Sequence, residues 1–181
     1  MEKTYIGIDP GNIGFISVLF PNGEKEFYSI DENDDLALGR IFKDIKKRSW
    51  DVVACMEQVH AIFGASAGST FNFGEIFGVL KGLLIANEIS YHLVAPKDWQ
   101  KDIWNHQDEI YVTKKRTMTD KDTGAKYLKS YKAVDPKPTS FNAARRIFPN
   151  VDLRKNERCR KLDDNKCDSL LIAEYARRKN L

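Results

Sequence analysis

Residues 4–14 have the sequence TYIGIDPGNIG, and this stretch decides how the rest of the chain is interpreted. A short apolar run ends on Asp9, a Pro-Gly turn follows, and residues 15–20 begin a second apolar run. The pattern predicts a β-hairpin with Asp9 at the end of its first strand. Because Gly11 and Gly14 have no side chains, a ligand can approach the backbone of the turn. An acid in this place suits a metal or phosphate ligand; the alternative is a turn acid that caps local N–H groups.

The composition is that of a globular, soluble protein. The chain has 181 residues, 42% of them hydrophobic and 30% charged, which suits one domain with an inserted element. No apolar run reaches the roughly 18 residues of a membrane span, and residues 1–3 do not begin a signal peptide. Cys55, Cys159 and Cys167 show no paired spacing, which predicts free thiols rather than a disulfide framework or zinc site. We therefore expect a cytoplasmic protein that binds no membrane.

The charges are unevenly placed along the chain. Residues 101–160 hold 15 Lys and Arg against 8 Asp and Glu, whereas the remainder holds 14 against 18. An acidic body with a basic section is typical of a metal-dependent nucleic-acid enzyme, in which carboxylates hold metal and basic residues hold phosphates. A solvated, charged surface is the alternative interpretation.

Hydrophobic periodicity predicts an α/β chain. We expect strands at about 4–9, 14–20, 25–30, 51–57 and 89–94, and helices at about 36–45, 71–87, 97–101, 139–148 and 163–179. The first three strands form an antiparallel meander, and two parallel strands follow through right-handed crossovers. The fourth strand is apolar throughout and ends on Glu57, and its place beside the first strand brings Glu57 near Asp9.

Two segments stand apart from this pattern. Within residues 103–135, residues 110–113 are expected to pair with residues 126–128 as a basic, aromatic-bearing β-hairpin; the alternative is a partly mobile arm. Either element is inserted into a domain of residues 1–181. In the second predicted helix Gly74, Gly78 and Gly82 recur every four residues and form a smooth stripe. Such a stripe permits close approach of a second helix in a dimer, or of the sheet.

The last helix carries the acids that complete a candidate metal site. Asp164 and Asp168 are four residues apart, so their side chains share one helix face and repel each other unless a cation lies between them. If that helix packs on the first strand, both acids converge with Asp9 and Glu57. Four carboxylates suit Mg²⁺ or Mn²⁺, and two such ions can flank a phosphodiester. Each acid taken alone is equally well explained as a surface charge or a cap.

Three sequence blocks, in order along the chain, resemble the RuvC family of Holliday junction resolvases, especially its bacteriophage branch. The blocks are IGIDPG at 6–11, MEQVH at 56–60 followed by FNFG at 71–74 and Gly78, and DNKCDSLLIA at 164–173. Residues 96–99 (PKDW) and 144–149 (ARRIFP) match more weakly.

The resemblance implies a ribonuclease-H-like fold, a homodimer, two divalent ions per active site and paired nicks in a four-way DNA junction. It makes Asp9, Glu57 and Asp168 metal ligands. Bacterial members space the last two acids three residues apart, and that position is Asn165 here. The spacing of four in phage-type members fits Asp164, and Asp163 is the alternative.

Several residues are candidate DNA contacts. Phe63 follows Glu57 in a predicted loop, where its ring could wedge between unstacked bases. His60 in the same loop could contact a phosphate or transfer a proton. The alternative for both is an ordinary loop residue. The candidate phosphate contacts are basic and otherwise explained as solvated charges: Lys97, Lys101, Lys114, Lys115, Arg116, Lys126, Lys129, Lys132, Lys137, Arg145 and Arg146. Tyr127 and Tyr131 either stack on bases or pin the arm.

The sequence therefore predicts an endonuclease, independent of nucleotide cofactors, that cuts Holliday junctions, with forks and flaps as further substrates. A non-catalytic DNA-binding module and a nuclease for RNA–DNA hybrids are the alternatives. An ATPase of the actin/Hsp70 type is a third, although that fold needs two such subdomains and this chain supplies one.

Overall fold

A five-stranded mixed sheet forms the centre of the molecule. The computed structural model describes residues 3–58 and 66–181. The sheet consists of β1 (Thr4–Asp9), β2 (Phe15–Leu19), β3 (Lys25–Ser29), β4 (Val52–Glu57) and β5 (Ser90–Val94). Its strand order is β3-β2-β1-β4-β5, with β1 to β3 antiparallel and β4 and β5 parallel to β1. The predicted sheet, three antiparallel strands followed by two parallel ones, is confirmed.

Five helices flank the sheet: α1 (Asp35–Arg48), α2 (Ala67–Ala86), α3 (Pro96–Ile103), α4 (Pro136–Ile147) and α5 (Asp164–Lys179). Two of them begin earlier than predicted. The Ser66 side chain caps α2 by accepting the N–H of Ser69, and Pro136 opens α4, where its fixed φ favours a helix start. No helix in residues 3–58 and 66–181 has the length and apolar character that crossing a bilayer requires.

The side chains of β1 alternate between two cores. Ile6 and Ile8 pack with α1 and α2 on one face of the sheet, whereas Tyr5 packs with α3 to α5 on the other. Because side chains alternate along a strand, Gly7 and Asp9 share the α5 face with Tyr5. Asp9 therefore points toward the helix that carries the late acids.

Helix α2 covers its side of the sheet incompletely. It buries only Leu80 and Leu84 among its described side chains, while Phe71 and Ile85 are exposed. The space around Gly74, Gly78 and Gly82 is open, so the sheet is not the neighbour of this glycine stripe.

The basic insertion forms a separate two-stranded sheet of β6 (Tyr111–Thr119) and β7 (Lys126–Val134). Each strand has nine residues, so the hairpin is longer than the predicted pairing of residues 110–113 with 126–128. Almost every side chain of both strands is exposed, which explains why no hydrophobic alternation marked their length. Asp120 holds the turn by accepting the N–H groups of Asp122 and Thr123.

Candidate metal centre

Helix α5 rests directly on the backbone of β1. A Cβ atom at Gly7 would lie 2.0 Å from the carbonyl oxygen of Ser169 and 2.3 Å from the nitrogen of Ala173, so no other residue fits there. Ser17, the neighbour of Gly7 on β2, shares a 2.6 Å hydrogen bond with the Ser169 hydroxyl. This contact fixes the start of α5 over β1 and places Asp168 on the side of the sheet that Asp9 faces.

The turn after β1 uses its two glycines differently. Gly14 donates to the carbonyl of Gly11 at 2.8 Å, and Gly11 donates to the carbonyl of Asp9 at 3.0 Å. A Cβ at Gly14 would lie 2.1 Å from the Asp9 carbonyl oxygen, so the turn itself requires that glycine. At Gly11 the nearest atom would be 3.7 Å away, so of the two glycines Gly11 is the one whose backbone is open to an approaching ligand.

Asp9 and Glu57 lie side by side at the carboxyl ends of β1 and β4. The register that pairs Ile8 with Met56 makes them neighbours. Burial raises the pKa of Asp9 well above its usual value, and the negative charges of Asp168, Glu57 and Asp164 raise it further. The four acids that the sequence predicted to converge therefore act on one another electrostatically.

Asp168 is the acid with the clearest need for a cation. Burial and the charges of Glu57 and Asp164 raise its pKa to about 7, and the nearby Ser140 hydroxyl opposes that rise. Its Oδ1 atom is buried, as is Oγ of Ser140, and neither atom has a hydrogen-bond partner within the described part of the chain. A buried carboxylate oxygen without a donor is unfavourable, and a bound cation removes that cost.

The start of α5 distinguishes Asp164 from Asp163. Asp163 is the N-cap, and its carboxylate accepts the N–H of Lys166 at 2.9 Å. The side-chain amide of Asn165 donates a hydrogen bond to the carbonyl oxygen of Ile13 at 3.1 Å. Asp164 pairs instead with the ammonium group of Lys137, a group a metal ion can replace. These partners favour Asp164 as the third acid.

Sequence reasoning missed Trp99 as a partner of the site. Its Nε1–H donates to Oε1 of Glu57 at 2.8 Å, and the ring is completely buried, edge-on to Trp104. Burial raises the pKa of Glu57, and this hydrogen bond opposes that rise. The only signal in the sequence was the weak PKDW match at residues 96–99.

The donor set suits a hard divalent cation, because carboxylate oxygens are the ligands that Mg²⁺ and Mn²⁺ prefer. In residues 3–58 and 66–181, however, no group of three or more His, Cys, Asp or Glu side chains has an arrangement that could hold an ion. The acids share a neighbourhood and an electrostatic field in this structure, without converging on one point.

Most of the predicted phosphate contacts are exposed. Ten of the eleven are solvent-exposed: Lys97, Lys101, Lys114, Lys115, Arg116, Lys126, Lys129, Lys132, Lys137 and Arg145. Lys137 lies against Asp164, at the candidate centre itself. Phe63 and His60 lie outside the described residues.

Arg146 has a structural role that the sequence did not indicate. Its guanidinium donates to the buried carboxylate of Asp108 at 2.6 Å and to the carbonyl of Ile103 at 2.9 Å. Thr139 also faces inward and accepts the N–H of Ile110 at 3.0 Å. Arg146 therefore anchors the base of the hairpin through its Nε and Nη2 donors, and the phosphate contact predicted for it stays a prediction.

Comparisons with solved structures identify the fold. The RuvC of Thermus thermophilus in complex with a Holliday junction substrate has a TM-score of 0.56 and 12% identity, with 98% of this chain and 96% of that chain covered. A second structure of Thermus thermophilus RuvC has a TM-score of 0.51 and 15% identity, with the same coverage. No protein-family model matches the chain, and a search of curated proteins finds no match. Nothing in these comparisons supports the bacteriophage branch. The chain has the RuvC-type, ribonuclease-H-like fold.

Proposed function

We propose that this chain is a metal-dependent endonuclease of the Holliday junction resolvase type. The observation that carries the proposal is the mutual electrostatic influence of Asp9, Glu57, Asp164 and Asp168 at one edge of a RuvC-like sheet. Fold alone does not define an activity, but carboxylates grouped at the ends of adjacent strands supply the ligands that phosphodiester hydrolysis needs.

The four acids would hold two divalent ions, Mg²⁺ or Mn²⁺. When bound, these ions supply an activated water and stabilise the leaving 3′ oxygen. Trp99 orients Glu57 through its N–H, and the contact of Gly7 with α5 fixes the distance between β1 and Asp168. Asp163 caps the helix and thereby holds Asp164 at its first position.

The DNA surface comprises the exposed basic residues around this centre. We assign phosphate contacts to Lys97, Lys101, Lys114, Lys115, Arg116, Lys137 and Arg145, which give affinity without sequence information. Phe63 remains our proposed wedge at the branch point.

A homodimer would present two sites to opposing strands, matching a two-fold substrate to a two-fold protein. The exposed apolar residues Phe71 and Ile85 and the open glycine stripe of α2 support an interface on that helix. We further propose that residues 1–181 form a single nuclease domain acting in the cytoplasm. Kinship with the bacteriophage branch rests only on the four-residue spacing of Asp164 and Asp168.

Cleavage of a synthetic four-way junction tests the proposal, with linear duplex, a fork and an RNA–DNA hybrid as controls. Each substrate is incubated with Mg²⁺, Mn²⁺ or EDTA, beside the Asp9→Asn variant. We expect metal-dependent nicks near the branch that disappear in the variant while junction binding survives. Binding without cleavage in either metal would leave a DNA-binding module, and preferential cutting of the hybrid would make the chain a nuclease of another class.

A further inference from the structure

We propose that one face of the β6–β7 hairpin binds unpaired nucleotides by stacking bases on Tyr127 and Tyr131. This inference rests on the proposed function and adds a substrate class to it: branched DNA that carries a single-stranded arm, as in forks and flaps.

The register of the hairpin brings both tyrosines to the same face. Residues directly opposite each other in an antiparallel pair point to one side of the sheet. Tyr131 lies opposite Lys114, and Tyr127 lies opposite Met118. The aromatic face is therefore composed of Lys114, Arg116, Met118, Tyr127, Lys129 and Tyr131.

The side chains of the aromatic face are available to a ligand. Tyr127 is 48% exposed and Tyr131 is 42% exposed. The Arg116 guanidinium lies 5.6 Å from the centre of the Tyr131 ring and adds a planar cation beside it. The rings are four strand residues, about 13 Å, apart, so each can take a separate base.

The charge of the hairpin favours nucleic acid over protein as the occupant. Residues 111–134 hold seven Lys and Arg against two Asp. Aromatic rings interleaved with cations are typical of single-strand binding surfaces, where rings stack on bases and cations follow the phosphates. A paired duplex hides its base faces within the stack, so the rings select unpaired nucleotides.

The hairpin begins beside the candidate metal centre. β7 ends at Val134, and three residues later Lys137 contacts Asp164. The N–H of Asp135 donates to the carbonyl of Ile110 at 2.7 Å, which ties the two ends of the hairpin together. A nine-residue strand reaches about 30 Å, so the aromatic face extends outward from the proposed point of cleavage.

The opposite face provides an internal control. Its aromatic residue, Tyr111, lies at the base of the hairpin and donates its hydroxyl to Glu109 at 2.5 Å. Farther out, the opposite face presents lysines, threonines and the exposed Leu128, none of which offers a ring.

The test is equilibrium binding of the full chain to a DNA flap with 2-aminopurine in its unpaired arm. EDTA prevents cleavage, and a fully paired four-way junction is measured in parallel. The variant Tyr127→Leu/Tyr131→Leu is compared with Tyr127→Phe/Tyr131→Phe, which keeps both rings, and with Tyr111→Leu, which removes the ring of the opposite face.

We expect the double leucine variant to lose about tenfold or more in flap affinity, together with the fluorescence change of the flap, and to keep its junction affinity. The phenylalanine variant and Tyr111→Leu should bind the flap as the wild type does. If the double leucine variant fails to fold, Tyr127→Leu alone, near the turn, gives the same comparison. Unchanged flap affinity, or equal losses on both substrates, would overturn the inference.

Two further results keep this inference separate from the proposed function. Binding in EDTA needs no catalysis, so an absence of junction cleavage by the wild type would refute the endonuclease and leave the stacking result standing. Loss of self-association in the leucine variant, with flap binding unchanged, would make the aromatic face a protein interface and overturn the inference.

Discussion

Two regions of the molecule are built in opposite ways: the contact between β1 and α5, and the β6–β7 hairpin. In the first, backbone meets backbone at Gly7 and buried carboxylates lie within one another's field. In the second, both faces of a two-stranded sheet meet solvent, and in the described part of the chain hydrogen bonds at its base tie it to the body. From this difference we expect the β1–α5 contact to serve catalysis and the β6–β7 hairpin to serve the choice of substrate. Changes in the first should therefore abolish folding or catalysis, whereas changes in the second should alter which DNA is bound.

The largest expected effect is on the β1–α5 contact itself. Gly7→Ala places a methyl group against the backbone of Ser169 and Ala173, where no flexible side chain can move aside. We expect a loss of about 3 kcal/mol or more in unfolding free energy, measured by chemical denaturation. Gly11→Ala is the control, because its Cβ has room and its φ is not positive; comparable losses in both variants would contradict the account.

The next effect concerns the acids of α5. Asp168→Asn should lower the rate of junction cleavage more than about 100-fold, beyond the loss that supporting residues of a metal site cause. Asp163→Asn should stay near wild type, since asparagine also caps helices well. Rates measured under single-turnover conditions decide between them. A loss in Asp163→Asn as large as that in Asp168→Asn would make Asp163, and not Asp164, the third acid.

Trp99 gives a smaller, separable effect. Trp99→Phe keeps the buried ring and removes the donor to Glu57, so cleavage should fall about 10- to 100-fold. Because that hydrogen bond lowers the pKa of Glu57, the acid limb of the pH–rate profile should move to higher pH. Trp104→Phe is the matched control, since Nε1 of Trp104 has no hydrogen-bond partner in the described part of the chain. Equal losses in both variants would show a packing effect only.

The smallest expected effect is on the pH dependence of stability. The pKa of Asp168 is about 7 in the folded protein and 3.8 in a solvent-exposed reference carboxyl, so the folded state binds its proton more tightly. The associated stability is complete below pH 3.8 and is lost as the pH rises through about 7. Metal-free protein should therefore show a melting temperature that declines over this range. In Asp168→Asn that decline should be smaller, and added Mg²⁺ should offset it in the wild type; an unchanged decline in the variant would remove Asp168 as its cause.

Much of the fold could be predicted from sequence, because apolar strands that end on Asp9 and Glu57 carry their own periodicity. The packing at Gly7 could not, since the sequence shows a glycine without showing which backbone covers it. The Trp99–Glu57 and Arg146–Asp108 hydrogen bonds join residues far apart in the chain, so no local sequence pattern predicts them. The length of the hairpin could not be predicted for a different reason: strands with polar residues on both faces show no alternation of apolar and polar residues.

Titration calorimetry with Mn²⁺ measures whether the four acids form one metal centre. We expect the wild type and Asp163→Asn to bind Mn²⁺ alike, with two ions per chain, and Asp168→Asn to lose this binding. Undiminished Mn²⁺ binding by Asp168→Asn would contradict a single centre formed by the four acids.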